Sequence, residues 1–157
     1  MNAIDQKLKE LDLILPEPVA PVANYVPFVV SGNLVFISGQ VSVEVGGNVI
    51  KGRLGENLSV EQGQKAARAC ALNLIAQMKI ACDGDLTRVK RIVKVGGFVC
   101  CGAIDSQIDI PKVVNGCSDL FVDVFGDKGR HARFAVSAPS LPLDCAVEID
   151  AVVEIDN

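Results

Sequence analysis

Apolar residues recur along this chain with two periods, and each period predicts a different kind of element. Residues 2–11, NAIDQKLKEL, set Ile4, Leu8 and Leu11 on one side of a short amphipathic helix. The run from Leu15 to Pro21, LPEPVAP, then forbids regular helix, because proline removes a donor and fixes φ. It predicts an extended arm. Tyr25–Val30 and Leu34–Ser38 alternate as two strands around the turn chemistry of Ser31-Gly32-Asn33. Val41–Val45 and Asn48–Ile50, split by Gly46-Gly47, read as a further hairpin. Ser59 opens a helix, with Gln62 completing a capping box. Gly63, Ala67, Cys70, Ala71, Leu74 and Met78 make its apolar stripe. After Asp83-Gly84-Asp85, residues Arg91–Cys101 form a strand rich in β-branched residues, with Gly96-Gly97 as a candidate bulge. Asp109 caps a second long helix, with Pro111 in its first turn and Val113, Val114, Cys117, Leu120 and Phe121 on one face. Asn115 points away from that stripe, and Gly126 and Gly129 stop the helix.

Two alternating segments close the chain. Arg133, Ala135 and Ser137 share one face of the first, and Val147, Ile149, Ala151, Val153 and Ile155 share one face of the second. The Leu141-Pro142 link between them predicts an antiparallel hairpin, in which Arg133 and an acidic residue meet on one surface. The element order is then β-β-β-α-β-α-β-β. This is an α+β domain with two helices on one face of a mixed sheet. The other sheet face is also apolar, and nothing left in the chain covers it. A second subunit is the expected cover.

At 157 residues the chain fits one domain, with residues 1–23 as a helix and proline-rich arm ahead of a domain at 24–157. Half the residues are apolar but aromatics are few, so Val, Ile, Leu, Ala and Cys must build the core. A mean hydropathy of +0.36 also points to association between copies. The net charge of -4 argues against a nucleic-acid partner, which asks for a basic stripe. The six cysteines include no CxxC pair, and His131 is the only histidine. That pattern predicts buried thiols, with no metal site. His131 has no catalytic partner at a recognisable spacing and reads as structural. No apolar run reaches membrane-spanning length, and the first residues lack a signal-like apolar stretch. The expected location is a reducing cytoplasm.

Tyr25, Ile37-Ser38-Gly39-Gln40, the helix start near Ser59, Val114-Asn115-Gly116, Ala132-Arg133, Leu141-Pro142 and Val147-Glu148-Ile149-Asp150 follow one another in a fixed order. Together they resemble the RidA/YjgF family of reactive-intermediate deaminases, also called endoribonuclease L-PSP-like. The resemblance runs from about Asn24 to Ile155. It implies a chorismate-mutase-like subunit, a homotrimer, and sites in the clefts between subunits. It also implies hydrolysis of 2-imino or 2-enamino acids to 2-oxo acids and ammonia, with no cofactor. Arg133 matches the family's carboxylate-binding position, and Glu148 a position suited to proton transfer. Tyr25, Ser38, Asn115 and Ala135 match further positions of the pocket wall.

The chemistry suits these residue types. A guanidinium fork grips a carboxylate bidentately, which lysine cannot reproduce. Imine hydrolysis then needs little beyond a positioned water and a proton acceptor. The chain departs from the family pattern where Ala135 replaces a common cysteine and Asp150 replaces a glutamate. The 101–112 loop is also long. A small-carboxylate-binding trimer without turnover is therefore the alternative reading. Ribonuclease action is disfavoured by the acidic charge and the absence of a histidine pair.

Overall fold

A computed structural model describes residues 1–18, 23–102 and 109–156. Helix α1 (Ala3–Glu10) is capped by Asn2, whose side chain accepts from the Asp5 amide, and it buries Leu8 in the main core. Strands β1 (Phe28–Ser31) and β2 (Leu34–Val41) form the expected hairpin, starting three residues later than the alternation suggested. Helix α2 (Val60–Ala81) begins at Ser59 with both halves of the capping box in place. Strand β3 (Val89–Cys100), helix α3 (Ile110–Phe125), strand β4 (Ala132–Ala138) and strand β5 (Val147–Ile155) complete the order. A single 3₁₀ turn at Gly126–Gly129 ends α3, as the two glycines predicted. Half of the expected 101–112 loop, residues 103–108, lies outside the described residues.

The sheet order is β1-β2-β5-β3-β4. β5 is antiparallel to both its neighbours, while β3 and β4 run parallel. The sheet is mixed, with α2 and α3 against one face, as the sequence reading held. Three expectations are corrected. β4 and β5 are not a hairpin, because β3 lies between them. The sequence carried the reason: a 16-residue helix separates β3 from β4, and a strand–helix–strand unit pairs its strands in parallel. The 139–146 link then passes over the end of β3, where the Cys101 amide donates to Ala138 and the Cys100 amide to Ala146. Second, the segments around Gly46-Gly47 make only an isolated bridge, Val43 to Val49. Third, Gly96-Gly97 is no bulge, since both residues keep register with β4 and β5. They are small because both faces are occupied. A Cβ on Gly97 would lie 2.8 Å from Val114 of α3, and one on Gly96 would lie 2.5 Å from Phe134.

The core lies between helices and sheet. Leu74, Ile75 and Met78 of α2 and Leu120 and Phe121 of α3 are fully buried against Val95, Ile149 and Val153. The helices meet closely where Gly116 passes α2, since a Cβ there would sit 2.2 Å from the Gln64 carbonyl oxygen. The opposite sheet face stays open. Phe36, Phe98, Phe134 and Val136 are each about two-fifths exposed on it (38–45%).

Candidate functional site

Edge strand β4 places alternate side chains on the two sheet faces. Phe134 stacks edge-on against Phe98 on the open face, with ring centroids 5.6 Å apart. Arg133 and Ala135 therefore face α3. Ala135 packs on the core, and the Arg133 guanidinium reaches along the helix. Its Nη1 donates to Asn115 Oδ1 at 2.8 Å and to Ser118 Oγ at 3.1 Å, and Nη2 makes a long contact of 3.4 Å with the Pro111 carbonyl. Asn115, which points away from the apolar stripe of α3, is half-buried and turns toward Arg133 of its own chain. The close passage of Gly116 against α2 lets this turn of α3 sit where it does.

Arg133's partners among the described residues are all neutral. Among the described residues no carboxylate lies within ion-pair distance of it. A partly buried cation without a counter-ion is a place where an anion gains energy, because the surrounding screening is weaker than in water.

Ser118 and His131 extend the same network. His131 Nδ1 lies 2.6 Å from the Gly129 carbonyl, and Nε2 lies 2.9 Å from Ser118 Oγ. Its ring also stands edge-on to Phe121. Burial, together with the nearby Arg133 charge, holds the imidazole below its ordinary value, although the Gly129 contact works the other way. The sequence reading treated His131 as structural and passed over Ser118. A helical offset of three from Asn115 to Ser118 was the available signal.

Glu148 stands elsewhere. It pairs with Phe98 across β3 and with Val41 across β2, and its side chain lies on the open face with that of Asp150. The carboxyl rests against the backbone of Gly39, where a Cβ would come within 2.5 Å of Oε1. It makes no hydrogen bond or ion pair among the described residues. Burial, with a smaller contribution from the Asp150 charge, raises its pKa above the ordinary 4.5. The expected meeting of Arg133 with an acid on one surface does not occur within a chain, because the two side chains lie on opposite faces of the sheet.

Ser38 donates its hydroxyl to the Val26 carbonyl at 2.7 Å, and its amide binds the Pro27 carbonyl. It thereby pins the segment that carries Tyr25, which is 56% exposed. Tyr25, Ser38 and Glu148 thus belong to the hairpin and open-face side, and Arg133, Asn115 and Ala135 to the α3 side. A separate groove of about 410 Å³ runs between Leu13–Pro16, the 43–45 turn and α2, and none of these residues lines it.

Known proteins are similar to this chain along almost its whole length. Protein TCP17 of Trypanosoma cruzi is 47% identical over 151 residues, covering 96% of this chain and 92% of that protein. The crystal structure of Atu1372 from Agrobacterium tumefaciens, a protein of unknown function, is 45% identical with a TM-score of 0.89, over 98% of this chain and 92% of that one. A Shewanella oneidensis structure described as a putative endoribonuclease is 35% identical with a TM-score of 0.91, over 98% and 100% of the two chains. The sequence model of one family, described as "YjgF/chorismate mutase-like, putative endoribonuclease", matches residues 5–155. Sequence match, sheet order and helix placement agree, and the chain belongs to the YjgF/chorismate-mutase-like family.

Proposed function

We propose that this protein hydrolyses 2-imino or 2-enamino acids to 2-oxo acids and ammonia, at a site completed by a second copy of the chain. The observation that carries this reading is the Arg133 guanidinium. It is oriented by Asn115 and Ser118, and no carboxylate among the described residues neutralises it. Among the described residues Nε has no partner and Nη2 has only its 3.4 Å contact to the Pro111 carbonyl, so these two nitrogens form the edge left for a bidentate grip on the substrate carboxylate.

Glu148 supplies the other half. Its raised pKa and its lack of hydrogen-bond partners among the described residues suit a group that takes up and returns a proton. Water adds to the imine carbon while Glu148 accepts its proton, giving a tetrahedral carbinolamine. Glu148 passes that proton to the nitrogen, the carbinolamine hydroxyl proton follows as the C–N bond breaks and the carbonyl forms, and ammonia leaves the 2-oxo acid. The balance is one imino acid plus one water. Because Arg133 and Glu148 occupy opposite faces of one sheet, a common pocket takes Arg133 from one copy and Glu148 from the next. The open face bearing Phe36, Phe98 and Phe134 supports such an assembly, which we read as a homotrimer.

A second reading follows from the same separation. The α3 side alone, with Arg133 and Asn115, is sufficient to bind a small carboxylate without turnover. Endoribonuclease action, named in the family description, has less support, given the net charge of -4 and a lone histidine engaged by Ser118 and Gly129.

An amino-acid oxidase generating imino acids in the presence of semicarbazide tests the proposal. Wild type suppresses semicarbazone formation, Arg133→Ala does not, and Glu148→Gln lowers kcat by about 10²-fold. Semicarbazone at the no-protein level across acidic, aliphatic and aromatic substrates would remove deamination and leave carboxylate binding.

A further inference from the structure

Arginine can reach one anion position from several rotamers, and a loosely held guanidinium loses side-chain entropy when it binds. Arg133 is held from one side. Both hydrogens of Nη1 are committed, one to Asn115 Oδ1 and one to Ser118 Oγ. Ser118 is itself held. The Gly129 carbonyl can only accept, so His131 Nδ1 carries the proton that bridges their 2.6 Å contact. The neutral ring then has a bare Nε2, which accepts the Ser118 hydroxyl proton at 2.9 Å. With that hydrogen spent, the Ser118 oxygen lone pairs are turned toward Arg133. Every bond in the series Arg133, Ser118, His131, Gly129 therefore runs in one direction.

Its far end is rigid. Gly129 is buried, and a Cβ there would lie 2.2 Å from the Phe121 carbonyl oxygen, so the turn that carries the acceptor is clamped onto α3. The His131 ring stands at 85° to Phe121, which fixes the direction of Nε2.

We propose that Ser118 and His131 are positioning residues for Arg133: they lock Nη1 so that the Nε and Nη2 edge is presented, ready oriented, to the carboxylate of the ligand. The inference rests on the reading of Arg133 as the anion-binding group and names what aims it. The ground-state grip on the carboxylate is then what the pair controls, so binding suffers while the proton steps at Glu148 do not.

The test pairs each deletion with a conservative rescue. Ser118→Ala removes the hydroxyl and Ser118→Thr keeps it. His131→Phe keeps a ring against Phe121, and His131→Gln restores an acceptor. Pyruvate, a 2-oxo acid of the product class, is titrated calorimetrically into each folded variant. Turnover of the imino acid made from alanine is followed alongside. Ser118→Ala and His131→Phe raise the pyruvate Kd and the KM about tenfold, in line with a lost hydrogen bond to a charged group. Their kcat stays within about twofold of wild type, because uniform binding has been lost. Ser118→Thr and His131→Gln recover most of the affinity. If Ser118→Ala and His131→Phe bind pyruvate as wild type does while Arg133→Ala does not, the positioning role is refuted and Arg133 keeps its function. If wild type and Arg133→Ala bind pyruvate equally, the anion site itself fails and the positioning role with it. Should His131→Phe not fold, the Ser118 pair decides alone.

Discussion

A single hydrogen atom at position 39 determines where Glu148 can rest its carboxyl. Adding a methyl there would press on Oε1, the far end of a flexible side chain, so the side chain yields and the backbone does not. Gly39→Ala is expected to unfold at nearly the wild-type temperature while losing most of the imine hydrolysis, a combination read by calorimetry beside the semicarbazide assay. Glu148 also carries a pH signature. An acid whose folded pKa is raised is fully accommodated below its unfolded value of 4.5, and its contribution to stability is lost as pH rises through the folded value. Glu148→Gln should therefore match wild type in urea titrations at pH 4 and gain on it toward pH 7. His131 runs the opposite way. Its folded pKa is lowered, so its contribution is complete above 6.5 and disappears as pH falls through the folded value. Of the residues in the proposed site, Arg133, Glu148 and Asn115 could be named from the sequence because their chemistry or motif singles them out. His131 was not, because its partners lie on a helix and a turn that only the fold brings beside it.

Helices announced themselves better than strand neighbours did. The capping box at Ser59 and the apolar stripes placed the starts of α2 and α3 to within a residue, since period and cap are local properties. Alternation reports which face a strand residue takes but carries no information on which strand lies next to it. That is why β4 and β5, close in sequence, were misread as partners although β3 separates them. Contact between the helices is equally unforgiving at Gly116. Gly116→Ala meets the Gln64 backbone, which cannot swing aside, and urea unfolding should show a loss of about 1–3 kcal/mol. Ser59→Ala, by contrast, should cost about 1 kcal/mol through the cap alone.

At the scale of the molecule, the open sheet face and the division of the candidate site between two faces lead to one expectation. Under the proposed assembly, Phe36→Asp gives a folded monomer by sedimentation that has lost imine turnover although Arg133 and Glu148 are intact. A monomeric wild type with full turnover would instead place the reaction within one chain. The position of β5 has a further consequence, which concerns time. In the sheet β2 and β3 touch only through β5, so the β1–β2 hairpin and the β3–α3–β4 unit share no strand pairing until residues 147–155 exist. While the ribosome makes the intervening residues, the nascent chain carries two strand edges that have nothing to pair with. Completion of the sheet is therefore one late, long-range event. Refolding from urea should be slow for a protein of this size, and a fragment ending at Asp144 should aggregate where the whole chain folds.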